Sequence, residues 1–444
     1  MAATPVAVLD MDQVRGHFPA LNGKQVYMNN AGGSQTLKTV AERVGEYLLN
    51  TNPQLTATGY AAGYAAAAKY VGATSEEIGV CPSPFPPPSI CLRDTLVFVS
   101  HRQPIHPVLG SSTTQLFRNV SYAFSFQPGD ELVVSSFDHE SNIGPWVALA
   151  ERQSLVLKWW QPVASGSASP KLLASDLRDL LSAKTRLVTC THASNILGSI
   201  HDIKAIVQTV RNGPSSCSLV CVDGVAYAPH RQIDVKDLGV DLYAFSWYKV
   251  YGPHIAMLYA SPLAQTKLQS LGHFFFNVKE QKLPLEQKLG LAGSSSELVH
   301  AIPAVLDYLG VSDNTKESSK WAGIVAQESQ LQETLLSYLT GLGDDVIVWG
   351  ERSADPSLRV ATISFTVKGQ NSQELVKTLQ KKTDFVLSWG DFYSARLVNQ
   401  FLGLDADGVV RVSMVHYNTI DEVKRLIKAL DTILSEFKQN KPRL

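Results

Sequence analysis

Two stretches decide how this chain reads. Ser218-Leu-Val-Cys-Val-Asp223 is an apolar run closed by an acid, and Phe245-Ser-Trp-Tyr-Lys249-Val-Tyr-Gly-Pro253 puts a lysine just past the next apolar run. Short unbroken runs of β-branched and apolar residues read as strands buried on both faces of a parallel sheet. Gly224 follows the acid and Gly252-Pro253 the lysine, so each stands where a strand gives way to a turn. Open α/β sheets bind ligands at the carboxyl ends of their strands. Pyridoxal phosphate needs a lysine that forms an imine and a carboxylate that keeps the pyridine nitrogen protonated. Alone, Asp223 is as good a turn cap and Lys249 an ordinary surface lysine; together they predict this cofactor.

Working outward, residues 110–260 alternate short β-branched runs with helical patterns. Strands are predicted at 131–135, 154–159, 186–190, 218–222, 242–246 and 255–259, with helices at 171–182 and 203–211, the second stopped by Asn212-Gly213-Pro214. The fold class is therefore α/β, a large domain with a mostly parallel central sheet. Helical patterns at 37–49 and at the alanine-rich 60–70 precede it, and 297–309 and 316–342 follow. The last hundred or so residues change character: strands at 346–349, 360–367 and 409–414 lead to an amphipathic helix at 420–437, as in a smaller C-terminal α+β domain. The expected organisation is an N-terminal segment, 1–35, packing with the small domain, a cofactor-binding domain, 36–310, and the small domain, 311–444.

One segment breaks the pattern. Residues 79–107 hold Pro82, Pro84, Pro86, Pro87, Pro88, Pro104 and Pro107, too many prolines for a core strand or helix. Glu77-Ile78 would join Val108-Leu109-Gly110 smoothly without them, so the segment reads as an exposed insertion or a translated non-coding stretch.

The chain has 444 residues, is 45% hydrophobic and carries a formal charge of -1. That length and apolar content support a sizeable core, and the lack of a basic block excludes nucleic acid and anionic membranes as obvious partners. The N-terminus has no basic region followed by an apolar stretch, and no apolar run reaches the ~20 residues that cross a bilayer. A cytoplasmic enzyme of small molecules is the expectation; Pro442-Arg443-Leu444 only faintly matches a peroxisomal address. Five cysteines, Cys81, Cys91, Cys190, Cys217 and Cys221, leave an odd number without metal-like pairing. Cys81, Cys91, His101 and His106 match no short-chelate spacing, so no metal is expected.

Further residues offer chemistry, most of them at the same edge of the predicted sheet. Gly110-Ser-Ser-Thr-Thr-Gln115 opens a helix, so Ser111, Ser112 and Thr113 present hydroxyls and backbone N–H groups suited to a phosphate, or simply a cap. Ser246 and Tyr248 flank the lysine and can add donors. His139, in Phe137-Asp-His-Glu-Ser-Asn-Ile-Gly-Pro-Trp146, can stack its flat ring on a heterocycle or serve as a loop histidine. Asn195, in Thr191-His-Ala-Ser-Asn195-Ile-Leu-Gly198, can donate to a phenolate-like oxygen. Arg411 lies in the apolar Val409-Val-Arg-Val-Ser-Met414, where burial demands an anion, either a substrate α-carboxylate or an internal acid.

With these residues in place, nearly the whole chain outside 79–107 resembles the class V aminotransferase family, in its cysteine desulfurase and selenocysteine lyase-like branch. The resemblance rests on Tyr27-Met-Asn-Asn-Ala31, His139-x-x-Asn-Ile143, Thr191–Gly198, Val222-Asp-Gly224, Ser246–Pro253 and Arg411-x-Ser-x-x-x-Tyr-Asn-Thr419. It implies a fold type I pyridoxal 5'-phosphate enzyme, usually a homodimer with sites near the subunit interface, acting on a small amino acid. By matching motifs, Lys249 looks like the cofactor's imine lysine and the base at Cα. Asp223 looks like the partner of the pyridinium nitrogen, His139 the ring-stacking residue and Asn195 a contact to the phenolic oxygen. Arg411 is similar to the arginine that takes the substrate carboxylate. Ser246 and Ser111 to Thr113 would hold the phosphate, and Ser294 to Ser296 would reach the neighbouring subunit's phosphate.

Three departures from that pattern bear on the reaction. Ala226 stands where desulfurases have glutamine, and Tyr248 where they have histidine. The stretch from Ser388 to Arg396, Ser-Trp-Gly-Asp-Phe-Tyr-Ser-Ala-Arg, offers Tyr393 where they carry the cysteine that accepts sulfur. The expectation is a lyase cleaving Cβ–S in a cysteine-derived molecule. An epimerase or aminotransferase on the same scaffold, or a non-catalytic pyridoxal-binding relative, stand as alternatives.

Overall fold

A computed structural model describes residues 8–51, 57–73, 108–162, 167–271, 285–290, 295–311 and 320–439. The predicted insertion at 79–107, Ser294 and the C-terminal tripeptide lie outside these residues.

The central sheet has seven strands: β1 (Val108–Gly110), β2 (Glu131–Ser135), β3 (Val156–Trp160), β4 (Thr185–Thr191), β5 (Leu219–Asp223), β6 (Leu242–Ser246) and β7 (Ala256–Ala260). Their order is β1-β7-β6-β5-β4-β2-β3. Strands β2 to β6 are parallel, and β7 runs antiparallel to both its neighbours. Alternation along β2 sends Leu132 and Val134 to one face and Val133 to the other. Helices α1 (Thr113–Ala123) and α2 (Gly144–Gln153) cover the first face through Leu116, Phe117, Val120, Trp146 and Leu149. Helix α3 (Ile203–Arg211) covers the second with Ile203, Ile206, Val207 and Val210, one stripe at helical spacing. Each such buried side chain contributes roughly 1.5–3 kcal/mol. Asp202 starts α3 by accepting from the Ala205 N–H at 3.0 Å.

This topology places the site. The chain leaves β2 toward β3 on one side but leaves β4 toward β5 on the other, so the segments after β2 and β4 flank a switch point. Register pairs Thr191 with Asp223 and Asp223 with Ala244, bringing the ends of β4, β5 and β6 to one edge.

A second sheet, all antiparallel, contains β8 (Val346–Trp349), β9 (Thr362–Val367), β10 (Ser388–Gly390) and β11 (Val409–Ser413) in the order β10-β11-β9-β8. Helices Trp321–Gly341, Ser372–Lys382 and Ile420–Gln439 share its core. The N-terminal segment joins it: Val26–Tyr27 pairs in parallel with Phe385–Val386, and Arg15 meets Glu422 at 2.9 Å. The segment after β4 packs against this sheet closely enough that a Cβ on Gly198, at φ +70°, would lie 2.3 Å from the Thr362 carbonyl oxygen. Only glycine accepts that conformation and approach without strain.

Several element boundaries differ from the sequence reading. The predicted helix 171–182 shrinks to Ala174–Arg178. Its far end is drawn to the sheet, where Lys158 Nζ donates to the Leu180 carbonyl at 2.9 Å and Ser182 Oγ to Glu131 at 2.7 Å. The predicted helix 297–309 splits into Ser296–Ala301 and Pro303–Leu309, because Pro303 cannot donate the next helical hydrogen bond. Helix Ser372–Lys382 and strand Ser388–Gly390 had no counterpart in the reading. No helix among the described residues is long and apolar enough to cross a membrane.

Candidate active site

Strand β5 carries Asp223 to its carboxyl end, where the acid is buried and its Oδ1 accepts from the Val225 N–H at 2.9 Å. Burial pushes its carboxyl up to about 6 against the opposing effects of that hydrogen bond and of Lys249. Lys249 ends the short turn Trp247–Lys249 that follows β6. Among the described residues nothing hydrogen-bonds its amine, which stands 6.0 Å from the Tyr248 ring centroid. Burial, then the Arg411 charge, lower it to about 8, while Asp223 opposes the fall. Two residues from different strand ends thus feel each other's charge.

His139 caps the turn Glu140–Asn142 after β2. Its Nδ1 accepts from the Ser141 N–H at 3.1 Å, which leaves the ring proton on Nε2. Burial, then Lys249 and Arg411, hold this imidazole down to about 4, so it is neutral at physiological pH. A neutral flat ring beside a lysine and an arginine is suited to stacking rather than charge pairing.

Arg411 comes from the other sheet, on β11, and is buried. It donates to the Asn195 carbonyl at 3.1 Å and to Asn29 Oδ1 at 3.0 Å, and its Nε has no partner. Burial lowers it to about 9. The internal acid that the sequence left open does not pair with it among the described residues. A buried guanidinium without a carboxylate and with an unmet N–H lacks an anion.

Asn195 uses its side chain twice within the protein: Nδ2 donates to the Phe392 carbonyl at 3.1 Å and Oδ1 accepts from Ser394 Oγ at 3.0 Å. One amide hydrogen remains for another acceptor. Ser112 caps α1, accepting from the Gln115 N–H at 3.1 Å. Thr113 Oγ1 and Ser246 Oγ lie 2.8 Å apart, so the helix start and the β6 end offer adjacent hydroxyls. Ser111 is exposed and turned to Gln115 Oε1 at 2.8 Å. Tyr248 is half-buried, and burial raises its phenol. Ser295 precedes helix Ser296–Ala301, apart from these groups in sequence and exposed.

Sequence reasoning passed over three residues. Asp138 is buried beside Asp223; Asn142 Nδ2 donates to its Oδ2 at 2.6 Å, and burial pushes it up to about 7. It stood one position before His139 without a signal of its own. Asn29 lay inside the Tyr27–Ala31 motif but had no assigned role. Phe392 places its ring 3.6 Å from the Arg411 guanidinium carbon.

The residues present suit pyridoxal phosphate. The unmatched guanidinium of Arg411, with no acid paired to it among the described residues, gives the site a place for an anion. The site also offers a free amine, a carboxylate, a flat neutral ring and, at a helix start, hydroxyls for a phosphate.

The family model for aminotransferase class V matches residues 108–426. A protein described as aminotransferase-like protein FGM3, from Gibberella zeae, is 46% identical over 96% of this chain and 98% of its own length. The cysteine desulfurase-like protein ustD of Aspergillus flavus is 34% identical, covering 98% of this chain and 93% of itself. Among solved structures, the cysteine desulfurase CsdA of Escherichia coli superposes with a TM-score of 0.76 at 22% identity, over 97% of this chain and 99% of that one, a likeness of fold. The chain belongs to the class V aminotransferase family. It is a pyridoxal phosphate-dependent enzyme with a cysteine desulfurase-like fold.

Proposed function

We propose that this enzyme binds a cysteine-derived amino acid through Arg411 and cleaves its Cβ–S bond. The observation that carries the reading is the buried, acid-free guanidinium of Arg411, opposite a loop that lacks a thiol. Of the described cysteines, Cys190 and Cys221 are buried inside β4 and β5, and Cys217 is exposed before the amino end of β5, away from the edge where ligands bind. Sulfur is then released as a thiol rather than stored on the protein.

When bound, pyridoxal phosphate supplies an electron sink for the bond broken at Cα. Lys249 would hold it, and the Lys249 amine, whose lowered basicity suits neutral to mildly alkaline pH, would take the substrate Cα proton. Asp223 pairs with the ring nitrogen, while neutral His139 stacks on the ring. Asn195 uses its remaining amide hydrogen on the phenolic oxygen. Ser246, Tyr248 and the Ser111 to Thr113 turn receive the phosphate. Arg411 fixes the carboxylate, with Asn29 and the Asn195 carbonyl holding the guanidinium in place. With water, the cleavage yields a thiol, pyruvate and ammonia. A homodimer in the cytoplasm, divided at 35 and 310 as the sequence suggests, completes the proposal.

The test incubates the holoenzyme with L-cysteine, cystine and S-substituted cysteines, with and without a keto-acid acceptor, and measures thiol, sulfide, pyruvate and new amino acid. Pyruvate equal to the sulfur product is expected: thiol from S-substituted cysteines, sulfide from cysteine and a persulfide from cystine. Amino transfer to the acceptor without pyruvate would reject the lyase in favour of the aminotransferase suggested by the FGM3 description.

A further inference from the structure

Beyond His139, Tyr248 and Tyr393 the site opens into a cavity of about 680 Å³. Its walls are one face of α1, with Thr114, Arg118 and Tyr122 at i, i+4 and i+8, and one face of α2, with Gly144, Ala148 and Arg152 at the same spacing. Both helices begin beside the site, α1 at the Ser112 cap and α2 just after the His139 turn. At about 1.5 Å of rise per residue, Arg118 stands roughly 6 Å beyond Thr114 and Arg152 roughly 12 Å beyond Gly144.

Neither arginine forms an ion pair among the described residues. Arg152 is nonetheless held, donating to the Ser121 carbonyl at 3.0 Å and lying 4.1 Å over the Tyr122 ring, with further N–H donors left over. The one acid in the lining, Glu140, is taken by Arg396 at 3.1 Å. Tyr393 is fixed at the rim: its N–H donates to Asp391 Oδ1 at 3.0 Å and its carbonyl accepts from the Glu140 N–H at 2.8 Å.

We propose that this cavity is a distal subsite for a long, anionic substituent on the substrate Cβ, with Arg118 and Arg152 receiving its far charge. The spacing along the helices, about 6 Å on α1 and about 12 Å on α2, suits an S-conjugate ending in a carboxylate rather than cysteine itself. The inference rests on Arg411 holding the α-carboxylate.

The test is calorimetric titration of the holoenzyme with L-2-aminopimelate and its ω-amide, which match in shape, differ in distal charge and have no sulfur to release. The acid is expected to bind about tenfold tighter than the amide, and this preference to vanish in Arg118→Gln/Arg152→Gln while amide affinity holds. Equal binding of both ligands to the unaltered enzyme, or equal loss of both in the variant, would overturn the subsite. So would a changed oligomeric state in the variant, since the arginines would then serve a subunit contact. Absence of Cβ–S cleavage would leave this binding preference standing and would count against the lyase alone.

Discussion

Phe392 stacks on the Arg411 guanidinium at 3.6 Å from a backbone in the left-handed region, φ 49°, and Tyr393 follows it at φ 60°. Consecutive non-glycine residues there cost on the order of 1–3 kcal/mol each, so the surroundings must impose the conformation. Asn195 and Ser394 do so from one side and Glu140 from the other. The loop is thereby an aromatic corner held over the Arg411 guanidinium.

This corner predicts a division of kinetic effects. A cation–π contact of roughly 1 kcal/mol corresponds to about fivefold in affinity. Phe392→Leu should therefore raise KM for amino-acid substrates about fivefold with kcat nearly unchanged, and Phe392→Tyr should restore it. Steady-state kinetics check this; a fall in kcat at constant KM would place Phe392 in the chemistry instead.

The charges around Lys249 have opposite signs of influence. In the cofactor-free protein its amine should titrate near 8, because burial and Arg411 lower it. Asp223→Asn should move the midpoint down and Arg411→Gln should move it up. Reductive methylation across pH, read by mass spectrometry at Lys249, measures all three, and an unchanged midpoint near 10.5 in the parent protein would contradict the arrangement.

Asp138 should cost the cofactor-free fold stability as pH rises. Its folded pKa of about 7 exceeds the ordinary 3.8, so the native state holds a proton that the unfolded chain has lost. The loss develops between about pH 4 and 7 and persists above. Asp138→Asn keeps an acceptor for Asn142, so its Tm relative to the parent should climb through that window. A difference that stays flat with pH would show Asp138 ionised throughout.

Much of the fold was legible because the chemistry was local. β6, α3 and β8 fall on their predicted limits: apolar runs mark the two strands, and a one-sided stripe marks the helix, which Asn212-Gly213-Pro214 closes. The segment 171–182 misled because its contacts run to Lys158 and Glu131, distant in sequence. For the site, each residue that ends a strand or caps a helix had a visible signature. Phe392 and Asp138 had none, since their significance depends on Arg411 and Asp223, which only the folded sheets bring beside them.

The account depends most on Lys249 as the point of cofactor attachment. Borohydride reduction of the holoenzyme, proteolysis and peptide mass spectrometry locate that bond directly. The predicted result is a phosphopyridoxyl group on the Lys249 peptide alone, absent in Lys249→Ala; the same group on another lysine, or on none, would contradict the account.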